Sequence, residues 1–157
     1  MKNDHDPVKI HDALCADHRR LDVFFERLLN RVRVNDTALA LEAWADFEHG
    51  LVRHLEVEEQ SMLPLLEPKH PGEVEAIRAE HAKVRSLLAE LGVGLEIHIV
   101  REETVEAFIR LLRTHAAREE ALLYRWAEGA LDEEQKVSIV DRLLFRAHGR
   151  KDATPAD

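Results

Sequence analysis

Histidine and glutamate recur in this sequence at positions where an amphipathic helix would carry an apolar residue. The motif His-x3-Glu occurs twice on such apolar faces, and a further histidine precedes each copy by 34 to 36 residues. Residues four apart share one face of a helix. Imidazole nitrogens and carboxylate oxygens are ligands for iron, zinc or copper. We therefore predict six metal ligands: His18, His54, Glu58, His81, His115 and Glu119.

Two glutamates buried in one layer are unfavourable without a compensating charge. No lysine or arginine occupies the apolar faces that carry these glutamates. A pair of divalent cations, bridged by the two carboxylates, would supply that charge. Without metal, burial is expected to raise the pKa of Glu58 and Glu119, and the chain is expected to fold with lower stability.

Apolar residues spaced by three and four predict four long helices joined by short connections. The first is predicted to start at Asp6-Pro7, with the proline as the first helical residue. The second is predicted to start after a polar break at residues 35–37, which can cap it. Pro64 is predicted to kink the last turn of this second helix.

Glycines are predicted to end the third helix near Gly92–Gly94 and the fourth by Gly129. The segment 92–99 fits either an extension of a neighbouring helix or a loop. Asp132 and Gln135 predict a capping box that opens a short fifth helix.

These helices predict an all-α fold, an up-down-up-down four-helix bundle with a short extra C-terminal helix. We assign residues 1–149 to this single domain and residues 150–157 to a flexible C-terminal tail. The sequence also repeats itself, since segment 16–21 parallels 79–84 and segment 54–59 parallels 115–120. At a rise of about 1.5 Å per residue, the four histidines lie at similar heights in such a bundle, so the six predicted ligands converge.

The composition narrows the function classes. Of the 157 residues, 45% are apolar and 34% charged, which predicts one globular domain rather than a disordered or membrane-embedded chain. A net charge of -9 argues against a nucleic-acid partner. The single cysteine, Cys15, excludes zinc fingers and iron–sulfur clusters and favours a cytoplasmic location.

The six predicted ligands, taken in order, resemble the duplicated signature of the hemerythrin-like family, also called the HHE cation-binding domain. The resemblance covers residues 7–129. It implies a non-heme di-iron centre in a four-helix bundle, with two iron ions joined by an oxo or hydroxo bridge. It also implies that the four histidines are terminal ligands and that Glu58 and Glu119 bridge the irons.

The sequence departs from the oxygen-carrying members of that family. Those proteins have a third-helix His-x3-His pair and a fifth histidine, whereas the residue four after His81 is Arg85 here. The similarity is greater to bacterial proteins linked to repair of damaged iron centres and to iron- and oxygen-sensing domains. We therefore predict a protein that binds or senses O2 or NO, or that acts in iron homeostasis or iron-centre repair. Its diferrous form is predicted to oxidise in air rather than hold O2 reversibly.

Two other functions fit parts of the sequence. A di-iron oxidative enzyme of the peroxidase or oxidase type needs a proton-transfer group near the metal, for which Asp22 and Tyr124 are the candidates. An interaction module with a structural zinc site would use four ligands, usually with cysteine among them, and fits six His and Glu residues poorly. No nucleic-acid or membrane partner is predicted.

Other residues near the predicted ligands have simpler interpretations. Asp22 follows His18 by four and fits a seventh ligand, an acceptor behind a ligand, or a surface partner for an arginine. Two aromatic residues, Tyr124 and Trp126, are predicted to be packing residues. Two glutamates, Glu59 and Glu120, are predicted to face solvent. The remaining histidines are predicted to be exposed: His5, His11, His49, His70, His98 and His148.

Overall fold

The structure, a computed structural model, describes residues 7–148, and within that range every regular element is an α-helix. The prediction of an all-α fold is therefore confirmed for the described part of the chain. The helices are α1 (Ile10–Arg33), α2 (Thr37–Ser61), α3 (Leu63–Leu66), α4 (Pro71–Glu96), α5 (Glu102–Ala121), α6 (Leu123–Ala130) and α7 (Glu133–His148).

Four long helices, α1, α2, α4 and α5, form the frame of the molecule. Helix α1 contacts α2 and α5, and α4 contacts the same two helices, so the contacts run in a ring. Helix α3 continues α2, and α6 continues α5, after single-residue breaks at Met62 and Leu122. The short α7 packs against α1 and α2. Long helices that follow one another in the chain are thus neighbours in space, as short connections require.

Two apolar clusters fill the interior and leave a polar layer between them. The first cluster is aromatic at its centre, where the ring centroid of Phe47 lies 4.7 Å from that of Phe25 and 6.3 Å from that of Phe108. The second cluster surrounds α3 and α6 and includes Leu63. Along α1, His18 lies between residues of the second cluster and residues of the first. The predicted ligands therefore occupy a layer that is covered by apolar side chains on both sides.

The start of α1 differs from the prediction. Pro7 lies outside the helix, which begins at Ile10, and Asp6 is outside the described residues. The backbone N–H of Val8 donates instead to Glu133 Oε1 at 2.7 Å, at the first residue of α7. A contact between residues far apart in sequence therefore holds the segment that local signals assign to a helix.

The predicted end of the third long helix near Gly92–Gly94 is wrong, because α4 continues to Glu96. Gly92 instead permits a close approach between helices, since a Cβ there would lie 3.3 Å from the indole of Trp44. For segment 92–99 the sequence allows either a helix extension or a loop. In the structure it extends α4 as far as Glu96 and then forms a turn. His98 in this turn has a φ of 59°, in the left-handed region that no helix continues through.

The predicted cap of the second helix is confirmed, and the helix breaks near Pro64, where the sequence predicts a kink. Asp36 caps α2, because its side chain accepts a hydrogen bond from the backbone N–H of Leu39 at 3.2 Å. Helix α2 ends at Ser61, and Pro64 lies in the first turn of α3. The helical hydrogen bonds are thus interrupted where the proline lacks an N–H.

The capping box before α7 is also confirmed. The backbone N–H of Gln135 donates to Asp132 Oδ1 at 2.8 Å, and the backbone N–H of Asp132 donates to Gln135 Oε1 at 3.0 Å. The tail assigned to residues 150–157 lies outside the described residues. Among the described helices, none is both long and apolar enough to cross a membrane.

We predict that Asp36→Ala lowers the free energy of unfolding by about 1 kcal/mol, because the first turn of α2 loses the acceptor for Leu39 N–H. For a domain of this size, such a loss lowers the melting temperature by roughly 2–4 °C. Thermal melts of both proteins measure it. Asp36→Asn keeps an acceptor oxygen and serves as the control. An equal loss in both variants would show that the side-chain cap is not the cause.

Candidate metal centre

The six predicted ligands meet in the polar layer and form two groups that share two carboxylates. The first group consists of His18, His54, Glu58 and Glu119, and the second group consists of His81, His115, Glu58 and Glu119. In each group, one candidate ligand atom from each residue lies within 4.8 Å of all the others. Both glutamates are fully buried. The structure therefore brings the residues together as two four-ligand sets rather than one.

The histidines turn their Nε2 atoms toward the shared carboxylates. His54 Nε2 lies 3.2 Å from Glu58, and His81 Nε2 lies 3.1 Å from Glu119. His18 Nε2 lies 3.3 Å from Glu119. His115 Nε2 lies 2.9 Å from Glu119. All four histidines thus present the same ring nitrogen, Nε2, to the glutamates, as a repeat of one helix pair predicts.

The opposite nitrogen of each histidine, Nδ1, bonds a second carboxylate, and these four carboxylates form what we call the carboxylate ring. The Nδ1···O distances are 2.8 Å for His54 with Asp17, 3.0 Å for His81 with Glu59, 2.7 Å for His115 with Glu80, and 2.9 Å for His18 with Glu120. A carboxylate that accepts Nδ1–H leaves the lone pair of a neutral imidazole on Nε2. The ring thereby orients every histidine for ligation.

The prediction that Glu59 and Glu120 face solvent is wrong. Both are partly exposed, yet each reaches a histidine of a neighbouring long helix. Asp17 and Glu80, which the sequence argument did not single out, do the same. The repeat could have indicated these four residues, because every member of the carboxylate ring directly precedes or follows a predicted ligand in the sequence.

Arginines hold the carboxylate ring from outside. Arg85 donates to Glu59 at 2.8 Å, and Arg118 contacts Glu80. Arg85 occupies the position where oxygen carriers have an additional histidine, so this side chain supports Glu59 rather than entering the layer. Asp17 is 9% exposed and bonds Arg20.

Tyr124 packs within the second apolar cluster, as predicted, and its hydroxyl also reaches the polar layer. It is fully buried, and its hydroxyl donates to Glu58 at 2.6 Å. Burial, together with the charges of Glu58 and Glu119, raises the pKa of this phenol well above its usual value. Trp126 also packs against the second apolar cluster, as predicted.

The three alternatives for Asp22 are resolved in favour of the arginine. Both of its oxygens accept hydrogen bonds from Arg113, at 2.8 and 3.0 Å, near the surface. Of the other histidines, three are exposed as predicted: His49, His70 and His98. His11 is half-buried instead, with Nδ1 3.6 Å from the sulfur of Cys15. His5 and the side chain of His148 are outside the described residues.

The unpaired atoms of the site fit a cation. Within the described residues, Glu58 Oε2 and His115 Nε2 are buried and have no hydrogen-bond partner. His115 Nε2 lies 2.9 Å from Glu119 Oε1, but not in the direction that a hydrogen bond requires. Buried polar atoms are unfavourable when nothing binds them, and these two are metal-ligand atoms. The donor sets of the two groups therefore fit a pair of metal ions.

The same helices fall within a match to a known family. The family model described as the Hemerythrin HHE cation binding domain matches residues 9–127. The chain belongs to this family. A second match to the hemerythrin HHE model covers residues 74–144, which contain the second half of the internal repeat. No curated protein and no solved structure matches the chain significantly.

In this hemerythrin HHE domain, the metal-free carboxylates share protons with the histidines. Burial raises the pKa of Glu119, but close contacts with His115, His18 and His81 more than offset burial, and that pKa lies well below its usual value. Burial and the charge of Glu119 raise the pKa of Glu58, and His54 together with His81 more than offsets both. The expected rise in the pKa of both carboxyls is therefore wrong, because it treated the histidines as neutral.

The histidine pKa values of the hemerythrin-family site move upward for the same reason. Burial lowers the pKa of His81, but Glu119 and Glu58 raise it to about 10. The pKa values of His54 and His115 also rise, because their glutamate contacts outweigh burial. A metal ion must displace these protons, so metal binding releases protons and strengthens as pH rises.

We predict that the metal-free domain is most stable between about pH 4.5 and pH 6.5. A histidine with a raised folded pKa contributes stability below its unfolded pKa and loses that stability as pH rises to the folded value, about 10 for His81. A glutamate with a lowered folded pKa loses its contribution as pH falls below about 4.5. The free energy of unfolding should therefore fall by a few kcal/mol between pH 6.5 and 10, which is the size that the rise in the pKa of His81 alone implies.

Urea unfolding in the presence of a chelator, repeated over this pH range, measures the effect. The iron-loaded protein is the comparison, since the stability gained from metal should grow with pH. A metal-free domain with constant stability from pH 6 to pH 10 would contradict the shared-proton description of the site.

Proposed function

We propose that this chain is an up-down-up-down four-helix bundle over residues 1–149 that holds two iron ions as a non-heme di-iron centre. In this proposal Glu58 and Glu119 bridge the ions, and His18, His54, His81 and His115 are terminal ligands. The observation that carries the proposal is that both four-ligand groups contain the same two buried glutamates. Because the two groups share two glutamates, six residues provide four ligands to each of two cations.

The ligand chemistry supports iron over structural zinc. Each group offers two imidazoles and two carboxylates, and no thiolate, since the sulfur of Cys15 contacts His11 instead. Closed structural zinc sites usually include cysteine. Because both carboxylates are shared, each ion keeps room for an external ligand.

A small cavity supports a diatomic molecule as that ligand. It has a volume of about 60 Å³ and reaches His18, His54 and His115. Most of its remaining lining is apolar, with Phe25 and Leu51 among the side chains. Such a cavity suits O2 or NO better than a polar substrate. Ferrous iron held by these residues would supply the coordination position and the electrons that such a ligand requires. We therefore propose binding or sensing of O2 or NO, or a role in iron homeostasis or iron-centre repair.

An oxidative enzyme of the peroxidase or oxidase type remains the second candidate. The observation that favours it is the hydroxyl of Tyr124, a proton-bearing group 2.6 Å from Glu58 and fully buried. A positioned phenol can act as a general acid. Steady-state turnover with peroxide or a reducing substrate separates this function from binding.

The test of the proposed function is iron quantitation after anaerobic loading, followed by optical spectra before and after exposure to air. We expect two iron ions per chain, oxidation to a stable diferric form in air, and NO binding to the reduced protein. One ion per chain would contradict the di-iron proposal. Oxygenation that reverses over several cycles of argon sparging would instead indicate an oxygen carrier.

A further inference from the structure

Tyr124, the only tyrosine of the chain, places its phenolic oxygen among the ligand atoms of the first group. The oxygen lies 2.6 Å from Glu58 Oε1 and 2.8 Å from His18 Nε2. It lies 3.1 Å from His54 Nε2 and 3.5 Å from Glu119 Oε2. This one oxygen is therefore within hydrogen-bond distance of all four residues of the first group. It lies where a cation bound by that group would lie.

The ring behind this oxygen is enclosed by packed side chains. Tyr124 has no exposed surface, and it belongs to the second apolar cluster together with Leu123 and Ala127. Its ring centroid lies 5.2 Å from that of His18 and 6.4 Å from that of His11. Protein interiors packed in this way resist movement of a large side chain. A hydroxyl driven back among apolar atoms would also lose its hydrogen bonds.

We propose that Tyr124 is itself a ligand, and that its phenolate oxygen binds the cation held by the first group. The inference rests on the proposed di-iron function. A cation placed among His18, His54 and the two glutamates must either expel the phenolic oxygen or bind it, and the buried ring excludes expulsion. Phenolate is a hard oxygen ligand that suits ferric iron.

The second group lacks an equivalent oxygen. A step of 61 residues takes His54 to His115 and Glu58 to Glu119, and the same step takes Leu63 to Tyr124. Leu63 is fully buried and apolar. The two ions are therefore chemically different: the first has an additional anionic ligand, and the second keeps the more open coordination sphere.

The ligation step is a simple exchange. The O–H bond of Tyr124 breaks, the proton leaves to solvent, and a bond between iron and the phenolate oxygen forms, with no change in the oxidation state of the metal. The metal cation thereby takes the place of the proton that Tyr124 donates to Glu58 in the metal-free site.

The test is spectroscopy of the diferric protein, prepared by anaerobic loading with ferrous iron and oxidation in air. We expect a visible phenolate-to-iron charge-transfer band, with resonance enhancement of tyrosinate ring vibrations on excitation in that band. Because the chain has one tyrosine, any such signal belongs to Tyr124. Loading with Zn²⁺ should give a tyrosinate difference spectrum in the ultraviolet, which needs no redox chemistry.

Tyr124→Phe should abolish the band while iron stays at two ions per chain, and Trp126→Phe is the matched control that keeps it. Wild-type protein with two irons but no tyrosinate vibration overturns this inference and leaves the proposed function standing. The wild-type spectrum decides the matter even where Tyr124→Phe fails to fold. Failure of the wild type to bind iron overturns the proposed function as well.

Discussion

Removal of iron is expected to lower the melting temperature of this domain by about 10 °C. A ligand that binds only the folded state stabilises it, by roughly 4 kcal/mol when its concentration is about 1,000 times its Kd. For a domain of this size, each 1 kcal/mol corresponds to roughly 2–4 °C. The ligand atoms converge only in the folded chain, since they come from four different helices. Calorimetry of the loaded protein, with and without a chelator, measures the change.

The decrease in melting temperature on removal of iron is limited, because the negative charges of the metal-free site are partly compensated. Protons on His54, His81 and His115 partly replace the cations, as the upward shifts in their pKa values indicate. The metal-free domain should therefore stay folded at room temperature. A chelator that leaves the melting temperature of the loaded protein unchanged would contradict the assignment of these residues as a metal site.

Glu119→Gln is expected to reduce bound iron from two ions to fewer than one per chain. Glu119 belongs to both groups, so one substitution removes an anionic ligand from each ion. His115→Ala removes a ligand from the second group alone and should therefore retain more iron than Glu119→Gln does. Iron quantitation after desalting, with circular dichroism to verify folding, measures both variants. Chelation should not change the melting temperature of Glu119→Gln.

The control for the shared carboxylate is its neighbour in the sequence, Glu120. Glu120→Gln makes the same carboxylate-to-amide change, but Glu120 bonds Nδ1 of His18, the ring nitrogen that faces away from the shared glutamates. Loss of such a partner weakens metal affinity by about 10–100-fold. The variant should thus retain two irons at saturating concentration. Equal losses of iron in the two variants would show that Glu119 has no bridging role.

Much of the fold follows from the sequence because helical periodicity is a local property. The four long helices, the Asp36 cap and the break at Pro64 all depend on residues close together in the chain. The start of α1 does not, since the residues before it bond α7, more than a hundred residues away. No local pattern contains that contact.

The candidate ligands were predictable for a different reason from the rest of the site. A histidine or glutamate on an apolar face is conspicuous, and the repeat showed it twice. Glu59 and Glu120 stand on faces that are ordinarily solvated, and only the rotation of each helix against its neighbour turns them toward a histidine. Tyr124 lies beyond the break at Leu122, so its height and direction depend on the geometry of that break.

The sharing of two glutamates between the groups gives the molecule a reciprocal architecture. Each half of the chain supplies three ligands to one group and one glutamate to the other, which is the pattern that a two-fold axis between identical helical hairpins generates. A symmetric pair of separate hairpins would have to carry the same residue at both equivalent positions. Fusion into one polypeptide removes that restriction, and at one such pair of positions this chain has Leu63 on one side and Tyr124 on the other.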